Sequence, residues 1–204
     1  MRALLFTRLI ITMSALLLLG GCLGMGGGTP PTRMYMLHAL PGPEAGSPTA
    51  ASDPAVVVGP IKLANYLQRS NIVTYSRQNE LQIADFDKWA EPLEEGFARV
   101  LGEDLSLLIP TNRIMLFPWR RALTIDYQVT VGVVQFGTTG EGEAVLTARW
   151  HLLGKDGKTV LASRRSHFTA PVTGDDYDAR VSAMSQTLAE LSREIAAEIK
   201  ARAQ

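Results

Sequence analysis

From residue 123 to residue 133 apolar and polar side chains alternate without a break. Leu123, Ile125, Tyr127, Val129, Val131 and Val133 take one side, and Thr124, Asp126, Gln128 and Thr130 take the other. A period of two predicts a long strand of an antiparallel sheet, with one face buried and one wetter. Residues 137–142 are glycine-rich and read as the return loop. Alternation then resumes, with Ala144, Leu146, Ala148, Trp150 and Leu152 inward and Thr147, Arg149 and His151 outward. Asp156-Gly157 marks a tight hairpin turn, because this pair readily takes the positive φ such a turn requires. Residues 159–168 complete a three-stranded meander.

The pattern changes to steps of three and four in two places. Leu93, Phe97, Val100, Leu101, Leu105 and Leu108 form one stripe and predict a helix over 91–108. Pro92 and the acidic Glu91, Glu94 and Glu95 suit its start, and Pro110 closes it. Tyr177, Val181, Met184, Leu188, Leu191, Ile195 and Ile199 predict a second helix over 175–203. Its stripe would serve a coiled coil, but the bare apolar face of the chain's own sheet is the preferred partner. Earlier strands are expected at 33–40, 55–63, 71–76 and 80–86, and a short one at 113–118. Gly59-Pro60 places a bend or an edge in the second of these. In the strand over 80–86, Leu81, Ile83 and Asp85 share a face. Residues 65–70 read as a loop, and the Pro/Gly/Ala/Ser-rich 41–54 as a surface loop. The expected fold is α+β: a single domain, mainly antiparallel sheet, with two amphipathic helices packed on one face.

The first 21 residues depart from all of this. Arg2 and Arg8 precede an apolar run over 9–19, and Gly20-Gly21 lead to Cys22. That is the three-part build of a secretory signal. The run is about half the roughly 20 residues a membrane-crossing helix needs. A cysteine directly after the small pair is the mark of a lipobox: its thiol accepts a diacylglyceryl group, and cleavage frees an amine for further acylation. Two or more chains anchor stably where one does not. Cys22 is the chain's single cysteine, and in an oxidising compartment lipidation removes a thiol that no internal disulfide can use. Residues 22–32 then form the lipidated start and a Gly/Pro-rich tether, and 33–204 the domain. By analogy with bacterial lipoproteins, Leu23, not Asp, after the cysteine directs the protein to the periplasmic face of the outer membrane.

Charge narrows the partners. The whole chain has 20 basic and 20 acidic residues, and the leader carries two of the basic ones and no acidic one. The remaining chain is slightly acidic, with no basic surplus to hold nucleic acid. No P-loop, dinucleotide fingerprint or G-x-S-x-G elbow occurs. His38, His151 and His167 lack metal-ligand spacing. His151 and His167 lie on strands that would neighbour each other, as a solvent-facing pair. Asp85 and Asp87 are close in sequence, but Phe86 and Trp89 beside them read as packing. The chain reads as no enzyme, with no cofactor. Apolar and aromatic residues at strand ends, Tyr66, Leu67, Trp89 and Trp119, are the candidate contact surface.

The order of motifs resembles a known family. A lipobox is followed by Tyr35-Met36-Leu37, then Val58-Gly59-Pro60-Ile61 with Leu63, then Tyr66-Leu67-Gln68-Arg69-Ser70-Asn71-Ile72-Val73. Trp89-Ala90-Glu91-Pro92-Leu93 opens a helix, a strand ends near Trp150, and an amphipathic helix closes the chain. This is similar to the ABC-type transport auxiliary lipoproteins typified by paraquat-inducible protein C. The family more usually has Asp and Pro where Gln68 and Ser70 stand here. The resemblance implies a non-enzymatic outer-membrane lipoprotein. It would dock an inner-membrane-anchored MCE-domain protein through Tyr66, Leu67, Arg69, Trp89 and Trp119, in a system that carries lipids between membranes and maintains the envelope. A homo-oligomer is compatible with that role. The alternative is a chaperone-like lipoprotein assisting an outer-membrane β-barrel, as in lipopolysaccharide translocation.

Overall fold

The meander predicted from the alternating residues forms the long part of the sheet. A computed structural model describes residues 30–42, 54–77, 79–109, 111–119 and 124–203. Its elements, among the described residues, are β1 (Arg33–Tyr35), β2 (Val56–Leu63), β3 (Asn71–Arg77), β4 (Glu80–Trp89), α1 (Leu93–Leu108), β5 (Ile114–Leu116), β6 (Tyr127–Thr139), β7 (Glu143–Leu153), β8 (Val160–Pro171) and α2 (Tyr177–Ala203). All lie within the compact unit Thr32–Gln204. Cys22, the leader, Leu123, Pro110 and most of the 41–54 loop lie outside the described residues.

All eight strands belong to one sheet. The long pairings, β6 with β7, β7 with β8 and β3 with β4, are antiparallel. The shorter ones are parallel: β1 with β4, β2 with β5, and both β2 and β3 with β6. β7 occupies one edge of β6, so β2 and β3 follow each other along the other edge. Val56, Val57 and Val58 on β2 are each fully buried. Such a continuous apolar run belongs to a parallel strand with neighbours on both sides.

Both helices pack on the same face of the sheet and on each other. The stripe of α2 meets the inward residues of β7, Ala144, Leu146, Ala148, Trp150 and Leu152, all fully buried, and that of α1 packs toward β2 in the same core. Polar links hold them there. The Trp150 indole N–H donates to Glu194 of α2 at 2.9 Å, Arg164 of β8 pairs with Glu198 at 2.6 Å, and Ser192 of α2 donates to Asp104 of α1 at 2.8 Å. The closing helix packs on its own sheet, as preferred above.

Some expectations need correction. The first strand ends at Tyr35, not near residue 40. From there the backbone bonds to helix side chains instead of a strand: the Leu37 carbonyl accepts from Arg99, and the Leu40 N–H donates to Asp104. The expected 137–142 loop is a turn at 140–142, because β6 continues to Thr139. It does so beside β3, where a Cβ on Gly137 would come within 2.8 Å of the Val73 carbonyl. The strands of His151 and His167 are neighbours as expected, but the two histidines do not pair: His151 lies across from Ser163, and His167 from Thr147. Asp85 and Asp87 are not a pair either. A bulge in β4 leaves Asp85 exposed and turns Asp87 inward, where it accepts from Arg33 Nε at 2.9 Å and from the Tyr35 hydroxyl at 3.0 Å.

The Gly59-Pro60 bend is present inside β2, with Gly59 at φ 112° and the register shifted between Val58 and Ile61. β6 carries a second irregularity between Val133 and Gln135. Val129, Val131 and Val133 face the helices, Val134 is the extra residue, and Phe136 returns to the core. A bulge of this kind leaves backbone groups unpaired.

Candidate functional site

The chain leaves β2 at Leu63 and makes one turn of 3-10 helix over Asn65–Leu67. The Leu67 N–H donates to Ala64 O and the Gln68 N–H to Asn65 O. This turn drives Leu67 into the core, where it is 2% exposed. Arg69 stays outside, its Nε donating to the Tyr66 carbonyl at 2.8 Å. The next residue ties the loop to a distant element: the Trp89 N–H donates to Ser70 O at 2.6 Å. Trp89 ends β4 beside Tyr35 of β1, and its side chain is buried.

Pro92 stops the strand and starts α1, with Glu95 and Gly96 N–H groups donating to its carbonyl. Glu91 bends back along the helix to Arg99 at 2.6 Å. Gly96 makes room for it, since a Cβ there would meet the Glu91 carboxylate at 2.9 Å. The two segments thereby enclose a cleft of about 510 Å³ lined by Leu67, Arg69, Ser70, Trp89, Glu91 and Leu93 among others. Its floor is apolar, one rim is cationic and the other acidic. That arrangement suits a peptide segment offering an apolar side chain between polar flanks. Among the described residues no group of three His, Cys, Asp or Glu side chains is placed to hold a metal ion.

Of the candidate contact residues, Leu67, Arg69 and Trp89 meet at this cleft. Tyr66 and Trp119 are not part of it. The Tyr66 ring turns toward the β6 bulge, where its hydroxyl donates to Val134 O at 2.9 Å and accepts from the Tyr75 hydroxyl at 2.6 Å. Tyr75 in turn accepts from the Phe136 N–H at 3.3 Å. The two tyrosines thus satisfy the backbone that the bulge frees. Burial pushes both phenols above the ordinary value of 10, so both remain protonated donors. Trp119 lies after β5, its ring 5.9 Å from that of Phe117. Its buried indole nitrogen finds no partner among the described residues. Sequence reasoning did not single out Ser70, Glu91 or Leu93, although all three fall in the two segments that carry the family resemblance.

The model of the ABC-type transport auxiliary lipoprotein component matches residues 35–196. The chain belongs to this family. As a member it is a transport-auxiliary lipoprotein, and no helix among the described residues is long and apolar enough to cross a membrane. The Intermembrane transport lipoprotein PqiC of Escherichia coli K12 is 25% identical over 165 residues, covering 80% of this chain and 85% of that protein. A crystal structure of an uncharacterized protein shares the fold with TM-score 0.69 at 22% identity, over 83% of this chain and 99% of that one. A Xanthomonas campestris protein does so with TM-score 0.67 at 18% identity, over 84% and 97%. The family match runs from Tyr35, in β1, to Ala196, inside α2, so the cleft lies wholly within it.

Proposed function

We propose that this lipoprotein docks an MCE-type intermembrane lipid transport assembly at the outer membrane, held there by acyl chains on Cys22, and does no chemistry of its own. The cleft between residues 67–70 and 89–93 carries this reading. It joins the Tyr-Leu-x-Arg and Trp-Ala-Glu-Pro-Leu segments at one surface, with a peptide-sized apolar floor between opposite charges. The occupant is a segment of the MCE-domain protein that sets an apolar residue against Leu67, Trp89 and Leu93. Its polar flanks meet Arg69 and Glu91. A relative named for intermembrane transport supports the assignment. A tethered domain of nearly balanced charge fits docking better than electrostatic capture of polyanions.

The test is in-cell photo-crosslinking from position 69, with the cross-linking residue in place of Arg69. The expected product is an adduct with an MCE-domain protein. An adduct with an outer-membrane β-barrel, or none at all, would overturn the assignment.

A further inference from the structure

The face of the sheet away from the helices carries a second feature that the docking cleft does not use. Lys62 on β2 lies across from Gly132 on β6, Gly132 from Arg149 on β7, and Arg149 from Arg165 on β8. These four positions form one rung across four strands, so their side chains share the outer face. With strands about 4.8 Å apart, three cations stand within a short row and glycine supplies the gap between two of them. A groove of about 590 Å³ runs over this rung, lined by Lys62, Gly132, Val134, Arg149 and Arg165 among others. Volumes in the range of about 300–1,000 Å³ are those of small-ligand sites.

Among the described residues the cations are unpaired. None of the three forms an ion pair or a side-chain hydrogen bond with a described residue, whereas every other described arginine has a partner. The sequences of β2, β6 and β8 contain no Asp or Glu, and the one acid of β7, Glu143, is six residues from Arg149. Like charges directly across a strand pair are unfavourable, so the chain holds a repulsive arrangement that no described residue neutralises by an ion pair. Two residues along β7 from Arg149, His151 lines a continuing hollow of about 330 Å³, and its buried Nδ1 has no hydrogen-bond partner among the described residues. Beside the cations, Val134 is 53% exposed. Two guanidinium forks, an ammonium, an unsatisfied imidazole nitrogen and an adjoining apolar side chain together fit an amphiphile with a phosphate head.

We infer that the Lys62–Arg149–Arg165 rung binds the phosphate headgroup of an anionic phospholipid, with the start of its acyl chains over Val134. This goes beyond the docking role and does not depend on it: a failed crosslink at position 69 leaves the rung's binding unaffected.

The experiment uses the full lipidated chain, extracted in neutral detergent and stripped of bound lipid, with native mass spectrometry counting adducts. Phosphatidylglycerol is compared with phosphatidylcholine, and inorganic phosphate is added in a separate arm. The expected result is at least a fivefold preference for phosphatidylglycerol. Arg149→Gln with Arg165→Gln should abolish the preference, and Lys155→Gln, in the distant hairpin turn, should keep it. Gly132→Val is a second probe: its Cβ meets nothing nearer than the Arg149 carbonyl at 3.7 Å, so it fills the groove without disturbing the strand and should also abolish the preference. Equal binding of the two lipids, equal binding by the variants, or occupancy by inorganic phosphate with no lipid adduct overturns the inference.

Discussion

Asp104 has no exposed surface, yet it accepts hydrogen bonds from the Leu40 N–H at 2.7 Å and from Ser192 at 2.8 Å. It joins the segment after β1 to α1 and α1 to α2. Burial raises its pKa above the ordinary 3.8, and the two hydrogen bonds draw it partly back. The folded chain therefore holds this proton more tightly than the unfolded chain does. Stability from this group is greatest below the ordinary carboxylate pKa and is lost as pH rises toward the folded value. Asp104→Asn removes the titration. The difference in melting temperature, wild type minus variant, should shift in favour of the wild type between pH 7 and pH 5. A shift the other way would mean that the hydrogen bonds outweigh burial. Asp104→Ala leaves the Leu40 N–H unpaired, while Ser192 keeps the Leu188 carbonyl as an acceptor at 2.9 Å, and should cost about 1–3 kcal/mol at neutral pH, measured by urea unfolding.

Among the elements, β6 is the strand on which the others are aligned, and its bulge depends on two side chains from elsewhere. Tyr75→Phe removes the acceptor of the Phe136 N–H and the donor to Tyr66. The expected cost is about 1–3 kcal/mol, with faster hydrogen exchange at the Phe136 amide. Unchanged exchange there would show that the bulge holds without the tyrosines. This bulge also marks where sequence reading stopped. Alternation gives the strand, although β6 begins at Tyr127 and leaves 124–126 outside it, and the stripes of Leu93–Leu108 and Tyr177–Ala203 give the helices, because periodicity records which face is buried. Periodicity does not record which strand lies alongside. The parallel pairing of β2 with β6 had only the fully apolar Val56-Val57-Val58 to announce it, and the offset of Phe136 from the alternating set was the one trace of the bulge. The cleft was legible to the same degree. Leu67, Arg69 and Trp89 stood out by type and motif, but the turn that separates Leu67 from Tyr66 is a matter of backbone hydrogen bonds that no residue type reveals.

At the scale of the molecule, two helices cover one sheet face, the row of Lys62, Arg149 and Arg165 lies on the other, and the cleft opens where β2, β4 and α1 meet. Attachment is assigned to a part of the chain that none of these surfaces includes. Cys22→Ser should leave the melting temperature unchanged and move the protein from the membrane to the soluble fraction after leader cleavage. Retention in the membrane fraction would remove the anchor from the proposal. The sheet's connectivity also sets an order in time. The residues lining the cleft lie between 63 and 94, but β2 and β3 complete their pairing only on β6, at 127–139. Contacts so distant in sequence form late. During synthesis, then, the cleft cannot be assembled until more than half of the chain has been made, and a nascent or truncated fragment would present no docking surface to compete with the finished protein.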